Sequence, residues 1–284
     1  MRTFLALPLA LLAVPALAQL DPPAWTRPTA PFHVVGPIWY VGTEGLAAYL
    51  IKTGDGAILL DGTLAENVPA IERNVAALGV PIRSVKVLLN SHAHFDHAAG
   101  LAKLKADSGA RMIAGASDRA ALDAGMPPGE TSYGVVPFPA VHVDRAVRNG
   151  ERVTLGGVTL TAHATPGHTP GNTSWSMRVT ENGRTLNVLF PGSLNVAGNR
   201  LVGNRRYPGI VAGYRTSFAR LATLHADVLL PAHPEAADVL GRAKRVAAGD
   251  RDAFVAPDLL PRYVAAGRTA FAAELSKQTA AARH

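Results

Sequence analysis

The chain has 284 residues, 48% of them hydrophobic and 17% charged, a balance that supports a sizeable buried core and excludes a disordered polymer. Its formal charge is +7, but apart from Arg205-Arg206 and the group Arg242, Lys244 and Arg245 the basic residues are scattered and lack interleaved aromatics, which points to small anionic partners and away from nucleic acid. Cysteine is absent, so disulfides, thiol nucleophiles and thiolate-held metals are excluded and every metal ligand must be His, Asp or Glu.

In chain order, residues 1–18 read as a secretory signal peptide: Arg2 supplies the positive start, residues 4–17 the apolar stretch, and Ala16-Leu17-Ala18 the small-residue cleavage pattern. Pro8 and Pro15 interrupt a stretch already shorter than the ~20 residues of a spanning helix, so no stable membrane anchor is expected. The mature chain, residues 19–284, is expected to be a single domain built of two αβ halves. Residues 19–36, with Pro22, Pro23, Pro28 and Pro31, read as an extended arm before a first strand at 38–41. The apolar runs 46–51 and 57–60 flank Thr53-Gly54-Asp55-Gly56, which predicts a hairpin. Val68, Ile71, Val75 and Leu78 recur at helical spacing until Gly79, a buried strand follows at 85–89, and Leu101 with Leu104 mark the next helix. Residues 125–139, with three Gly, four Pro and Tyr133, compose either a flap over a pocket or a plain surface connection. In the second half, 158–162, 173–179 and 186–190 read as strands, Tyr214, Phe218, Leu221 and Leu224 as a helix face, and 228–230 as a further strand before helical stretches to the C-terminus. This mixture predicts an α/β protein with two mixed β-sheets face to face and helices outside.

Chemistry concentrates where apolar runs end. Leu59-Leu60 leads to Asp61, Leu88-Leu89 to Ser91-His92-Ala93-His94-Phe95-Asp96-His97, Leu189-Phe190 to Gly192-Ser193, and Leu229-Leu230 to His233. Polar groups at strand ends converge on one sheet edge, where loops shape a pocket. Three imidazoles and a carboxylate within six residues make a metal site, and imidazole suits zinc. His92 and His94 alternate and can point the same way, whereas Asp96 and His97 must face elsewhere, which implies a second ion beside the first. His168, in Thr165-Pro166-Gly167-His168-Thr169-Pro170-Gly171, and His233, in Pro231-Ala232-His233-Pro234, each stand in a tight Pro-clamped loop and are further candidate ligands. His33, His142, His163, His225 and His284 read as surface or packing residues, and Asp61 as support for the ligands from outside.

These residues resemble the metallo-β-lactamase superfamily, whose signature is H-x-H-x-D-H followed by two later histidines, matched here by His92, His94, Asp96, His97, His168 and His233. The resemblance implies a four-layered αββα sandwich. Superfamily hydrolases of thioesters, lactones and phosphodiesters usually place a metal-bridging Asp in the loop that here reads Pro191-Gly192-Ser193-Leu194-Asn195, and two subclasses of true metallo-β-lactamase use Cys there; this chain has Ser193, as the third subclass does. The likeness to that subclass runs through Val41-Gly42-Thr43-Glu44-Gly45-Leu46, Leu59-Leu60-Asp61-Gly62 and Gly203-Asn204-Arg205-Arg206-Tyr207-Pro208. It implies a monomeric periplasmic enzyme hydrolysing β-lactam antibiotics with two Zn2+. His92, His94 and His168 would hold the first ion and Asp96, His97 and His233 the second; Asp96 would also act in catalysis, and Ser193 and Asn195 would contact substrate. Rival readings are a metallo-hydrolase of another small ester or lactone, such as an acyl-homoserine lactonase, and a non-catalytic zinc-binding protein.

Overall fold

The computed structural model describes residues 21–283; the expected signal peptide, residues 1–18, and His284 lie outside them. The first half of the chain builds a mixed sheet from β1 (Phe32–Val35), β2 (Ile38–Tyr40), β3 (Tyr49–Thr53), β4 (Gly56–Leu60), β5 (Val85–Leu89), β6 (Arg111–Gly115) and β7 (Arg145–Val147), in that spatial order. The pairs from β1 to β4 are antiparallel and those from β4 to β7 parallel. Parallel pairing needs crossovers, and here they carry α1 (Val68–Ala77), α2 (Phe95–Ala98), α3 (Leu101–Ser108) and α4 (Arg119–Ala124). The second sheet runs in the order β12 (Val228–Leu229), β11 (Arg184–Phe190), β10 (Thr173–Glu181), β9 (Val158–Ala164), β8 (Arg152–Leu155), with β12 parallel to β11 and the rest antiparallel. Between and after these strands come α5 (Ile210–Leu221), α6 (Val239–Ala247) and α7 (Leu259–Ala281).

Strand periodicity sorts side chains between two cores. Tyr49 and Ile51 of β3 and Ile58 and Leu60 of β4 pack in the core shared with Trp175, Met177 and Val188 of the second sheet. Their neighbours Leu50, Ala57 and Leu59 face the opposite way, against Val68, Ile71 and Val75 of α1 and Leu101 and Leu104 of α3. Since successive side chains of a strand point to opposite faces, a strand buried on both faces reads as a continuous apolar run. The result is the αββα sandwich expected. At the β3–β4 turn Gly56 has φ +124°, and a Cβ there would lie 2.4 Å from the Ser84 carbonyl oxygen, so the turn requires glycine. Gly79 takes φ +76° just past α1 and ends that helix in the left-handed conformation.

The arm before residue 38 is not all loop. Phe32–Val35, which follow the last proline of the arm and so keep every amide proton, pair with β2 around Gly36-Pro37 as the edge strand β1. Pro23–Trp25 form a turn of 3-10 helix. Leu46 to Ala48 precede the hairpin strand as a loop tied back to residues 41–43, with Val41 N–H donating to Ala48 O and Thr43 N–H to Leu46 O, both at 2.9 Å. Helix α5 stops at Leu221, so Leu224 lies in the turn beyond it.

Candidate metal centre

The strand ends converge as the sequence pattern requires. β4 delivers Asp61, β5 leads into the segment carrying His92 to His97, the β9–β10 connection carries His168, β11 leads to Ser193 and β12 to His233. His94 precedes α2 in extended backbone, while Asp96 and His97 lie inside that short helix. The chain therefore turns within the motif and aims the two parts at neighbouring points.

His94 Nδ1 and His92 Nε2 lie 2.9 and 3.1 Å from His168 Nε2. His97 Nε2 lies 3.1 Å from His233 Nε2, and Asp96 Oδ2 lies 3.2 and 3.3 Å from those same two nitrogens. Ligands about 2.0–2.1 Å from a tetrahedral zinc ion stand roughly 3.3–3.4 Å apart, so each triangle has the size of one face of a zinc shell. Candidate ligand atoms of His92, His94 and His168, and of His92, Asp96 and His97, each fall within 4.8 Å of one another. His92 thus belongs to both groups, and the two candidate sites are adjacent.

Charge states suit the same purpose. Burial pushes His92 and His168 well below the ordinary imidazole pKa and His94 down to about 4, so all three are neutral at pH 7. His168 Nδ1 sits 2.6 Å from the Asn195 carbonyl, an acceptor only, so Nδ1 carries the proton and Nε2 offers its lone pair inward. That lone pair faces two further imidazole nitrogens, an arrangement that a cation between them stabilises. Burial would raise Asp96, but His97 and His233 alongside outweigh it and hold the carboxyl well below its usual range. Burial would lower His97, yet the Asp96 carboxylate outweighs it and the net shift is upward.

The holders of these ligands come from outside the motif. Asp61, buried at φ +65°, accepts hydrogen bonds from Ser91 N–H at 2.7 Å and Asn90 Nδ2 at 3.0 Å, and its other oxygen lies 3.9 Å from His97 Nδ1. This supporting position matches the expectation for Asp61. Ser193 is buried; its Oγ accepts from Asn195 N–H at 3.2 Å, and its backbone N–H and C=O both bond the Asn172 side chain, at 3.1 Å each. Asn195 Oδ1 accepts from Ala197 N–H at 3.0 Å. Ser193, Asn195 and His233 line a cavity of about 600 Å³ with Trp25, Pro191 and Tyr263. Glu130, Ser132, Val135, Gly198, Arg200 and Arg206 are among the residues that border a larger groove of about 820 Å³, which holds none of the predicted site residues. The segment 125–139 is braced there, with Ser132 N–H donating to Gly198 O and Arg200 N–H to Glu130 O, each at 2.8 Å. Of the histidines read as packing residues, His163 bonds Ser176 Oγ at 2.7 Å on β9, His33 bonds Gly36 O at 2.9 Å, and His142 and His225 pair with aspartates near the surface.

Two contributors were not anticipated. Trp25, set by the 3-10 turn of the arm, lies with its ring 5.6 Å from that of His233 and 6.2 Å from that of Phe95. Asp118 is fully buried just beyond β6 and accepts hydrogen bonds from Ala93, Thr169 and Gly171. The rule that found the other sites, a polar residue after an apolar run, applies to Asp118 as soon as Met112-Ile113-Ala114 is taken as a strand.

Comparison with known proteins agrees with this geometry. The sequence model of the metallo-beta-lactamase superfamily matches residues 42–233, and the chain belongs to that family. It is accordingly a hydrolase of metallo-beta-lactamase fold, and its structural likeness within the family is to subclass B3. BJP-1, a subclass B3 metallo-beta-lactamase of Bradyrhizobium japonicum, is 44% identical with a TM-score of 0.87, covering 91% of this chain and 98% of that one. Native FEZ-1 metallo-beta-lactamase from Legionella gormanii is 35% identical with a TM-score of 0.84, covering 89% and 98%. Among curated relatives, a hydroxyacylglutathione hydrolase of Acidiphilium cryptum is 30% identical over 186 residues, 64% of this chain and 61% of that protein. A second, from Rhodospirillum rubrum, is 33% identical over 130 residues, 45% of this chain and 41% of that protein. The match thus spans less than two thirds of either curated relative. No helix among the described residues is long and apolar enough to cross a membrane.

Proposed function

We propose that this chain is a zinc-dependent β-lactamase that hydrolyses the lactam amide of penicillins, cephalosporins and carbapenems, acting as a periplasmic monomer and conferring resistance. Two Zn2+ would be held, one by His92, His94 and His168, the other by Asp96, His97 and His233. The observation that carries the reading is the pair of adjacent ligand triangles with a serine, not a carboxylate or thiol, in the loop after β11. Zinc in such sites supplies Lewis acidity and lowers the pKa of water from 15.7 to roughly 7.

The chain's own groups do the rest. Asp96 would orient the attacking nucleophile through its carboxylate while holding the second ion. With one carboxylate among six ligands the loaded site keeps a positive charge, which attracts the carboxylate that β-lactams carry. Ser193 Oγ–H and the Asn195 side chain would hydrogen-bond that group, a reading supported by the position of both residues on the cavity wall. Trp25 and Tyr263 form apolar flanks that limit water around the reacting amide.

A second reading, hydrolysis of a glutathione thioester, is favoured by the curated relatives; a lactone belongs to the same alternative class. The test is a substrate panel on the purified chain with zinc measured in parallel. Turnover of a penicillin, a cephalosporin and a carbapenem, loss in chelator, recovery with zinc and two zinc ions per chain are expected. Faster turnover of a hydroxyacylglutathione or an acyl-homoserine lactone would replace the proposal, and turnover that survives chelation would end the metal reading. Asp96→Ala should lose zinc from the second site together with most of the rate.

A further inference from the structure

Asp118 spends a buried carboxylate on three uncharged donors. Oδ2 accepts from Ala93 N–H at 2.9 Å and from Thr169 Oγ at 2.6 Å, and Oδ1 accepts from Gly171 N–H at 2.7 Å. Ala93 lies between His92 and His94, and Thr169 follows His168. One side chain therefore joins the two segments that bring the first ligand triangle together.

The residue type is specified by this geometry. Both oxygens must accept, because each faces a backbone N–H, and an Asn would turn its NH2 on the N–H of either Ala93 or Gly171. The neighbouring position is matched to it as well: a Cβ on Gly171 would lie 2.3 Å from Asp118 N and 2.7 Å from its carboxyl carbon. Burial opposes ionisation and pushes the carboxyl up to about 6, so the group is held at a cost. A core-stabilising role needs no such arrangement, because an apolar side chain fills buried space without desolvating a charge.

We propose that Asp118 is a positioning residue for the first metal site, setting the spacing of His92 and His94 against His168 through Ala93, Thr169 and Gly171. The inference rests on the metal reading of the site and deepens it. Groups that hold ligands in place from outside typically change metal affinity by about 10–100-fold when removed.

The test uses the full mature chain with Asp118→Asn, Thr169→Val and Thr169→Ser, all checked for native circular dichroism before assay. Zinc affinity is read by competition with a chromophoric chelator, and the geometry of the first site by the electronic spectrum of the cobalt(II)-substituted protein. Asp118→Asn is expected to weaken first-site zinc binding by about 10–100-fold and to alter the cobalt spectrum. Thr169→Val, which removes one donor and leaves Asp118 in place, should move both readouts in the same direction, and Thr169→Ser, which restores the hydroxyl, should return them to wild type. If Asp118→Asn does not fold, the Thr169 pair decides alone. Folded variants that match the wild-type zinc affinity and cobalt spectrum would overturn the inference alone; a wild-type chain that captures no zinc would overturn the metal reading and this inference with it.

Discussion

Gly167→Ala tests how closely the ligand loops depend on the helix behind them. Gly167 takes φ +134°, and a Cβ there would meet the Tyr214 ring at 2.7 Å, its backbone nitrogen at 2.8 Å and its Cα at 2.9 Å. Tyr214 is fully buried in α5, so it has no free space to retreat into. Overpacking costs about 1–3 kcal/mol and forcing a side chain into a glycine-only region about 1–3 more, together about 2–6 kcal/mol. For a chain of this size each kcal/mol lowers the melting temperature by about 2–4 °C, so a loss of roughly 4–24 °C is expected in the zinc-free protein. The strain is relieved by moving the loop away from α5, which carries His168 out of its 2.9 and 3.1 Å approaches to His94 and His92. Calorimetry of the metal-free protein and zinc quantification after dialysis read the two effects separately. A variant melting within about a degree of wild type and keeping full zinc would refute the claim that the α5 backbone sets the position of His168.

Other consequences are equally direct. Trp25→Ala should raise KM several-fold with kcat nearly unchanged, because the ring forms a wall of the cavity beside His233 and makes no hydrogen bond to it; a fall in kcat at constant KM would contradict this. Asp227→Ala should cost about 1.5–3 kcal/mol at pH 7, since the carboxylate accepts hydrogen bonds from Asn187 N–H and Nδ2 and from His225 where β12 joins β11. Burial would raise Asp227, but those hydrogen bonds outweigh it and its folded pKa is depressed. Its stabilisation is therefore present above the ordinary carboxylate range and lost as pH falls through the folded value, and the gap between wild type and variant should close in acid; a gap independent of pH in chemical denaturation would count against the ion.

The αββα layering was legible because β3, β4 and β5 are buried on both faces over Tyr49 to Ile51, Ala57 to Leu60 and Val87 to Leu89, which read as continuous apolar runs. The six predicted ligands were legible because each stands at the end of such a run or between prolines, and all six meet in space. What stayed hidden depended on partners. β7 and β8 span three and four residues and exist only by pairing with β6 and β9, so no local periodicity marks them. Trp25 lies beside His233, far away in sequence, and no spacing rule encodes that approach; the apolar run before Asp118 marks its position, but not its partners Ala93, Thr169 and Gly171. Asp61 and Thr63 adopt φ +65° and +54° without being glycine. Such conformations cost about 1–3 kcal/mol and persist only where surrounding contacts hold them, here the hydrogen bonds from Ser91 and Asn90 to Asp61.

The ring nitrogens at the site follow from those outer contacts, and they are not uniform. His92 Nδ1 is 3.0 Å from Ser91 Oγ and His168 Nδ1 is 2.6 Å from Asn195 O, so outer hydrogen bonds turn Nε2 of both rings inward; His97 also turns Nε2 inward, but its Nδ1 lies 3.9 Å from Asp61 Oδ2, beyond hydrogen-bond reach. His94 is reversed. It enters from the residue before α2, so its ring reaches the site with Nδ1, and its buried Nε2 has no hydrogen-bond partner. An outer partner fixes both tautomer and ring direction, hence His94, with no charged group among the described residues facing its outer nitrogen, is a candidate ligand that outer hydrogen bonds do not fix, whereas His97 has only the more distant Asp61 carboxylate beside it. Long-range proton–nitrogen NMR of the chain loaded with zinc should show His92, His97 and His168 bound through Nε2 and His94 through Nδ1. On zinc removal the His94 ring should exchange between tautomers while His168, still donating to Asn195, keeps its own. Equal tautomer locking of both rings in the metal-free protein would show that something other than these outer hydrogen bonds orients the ligands.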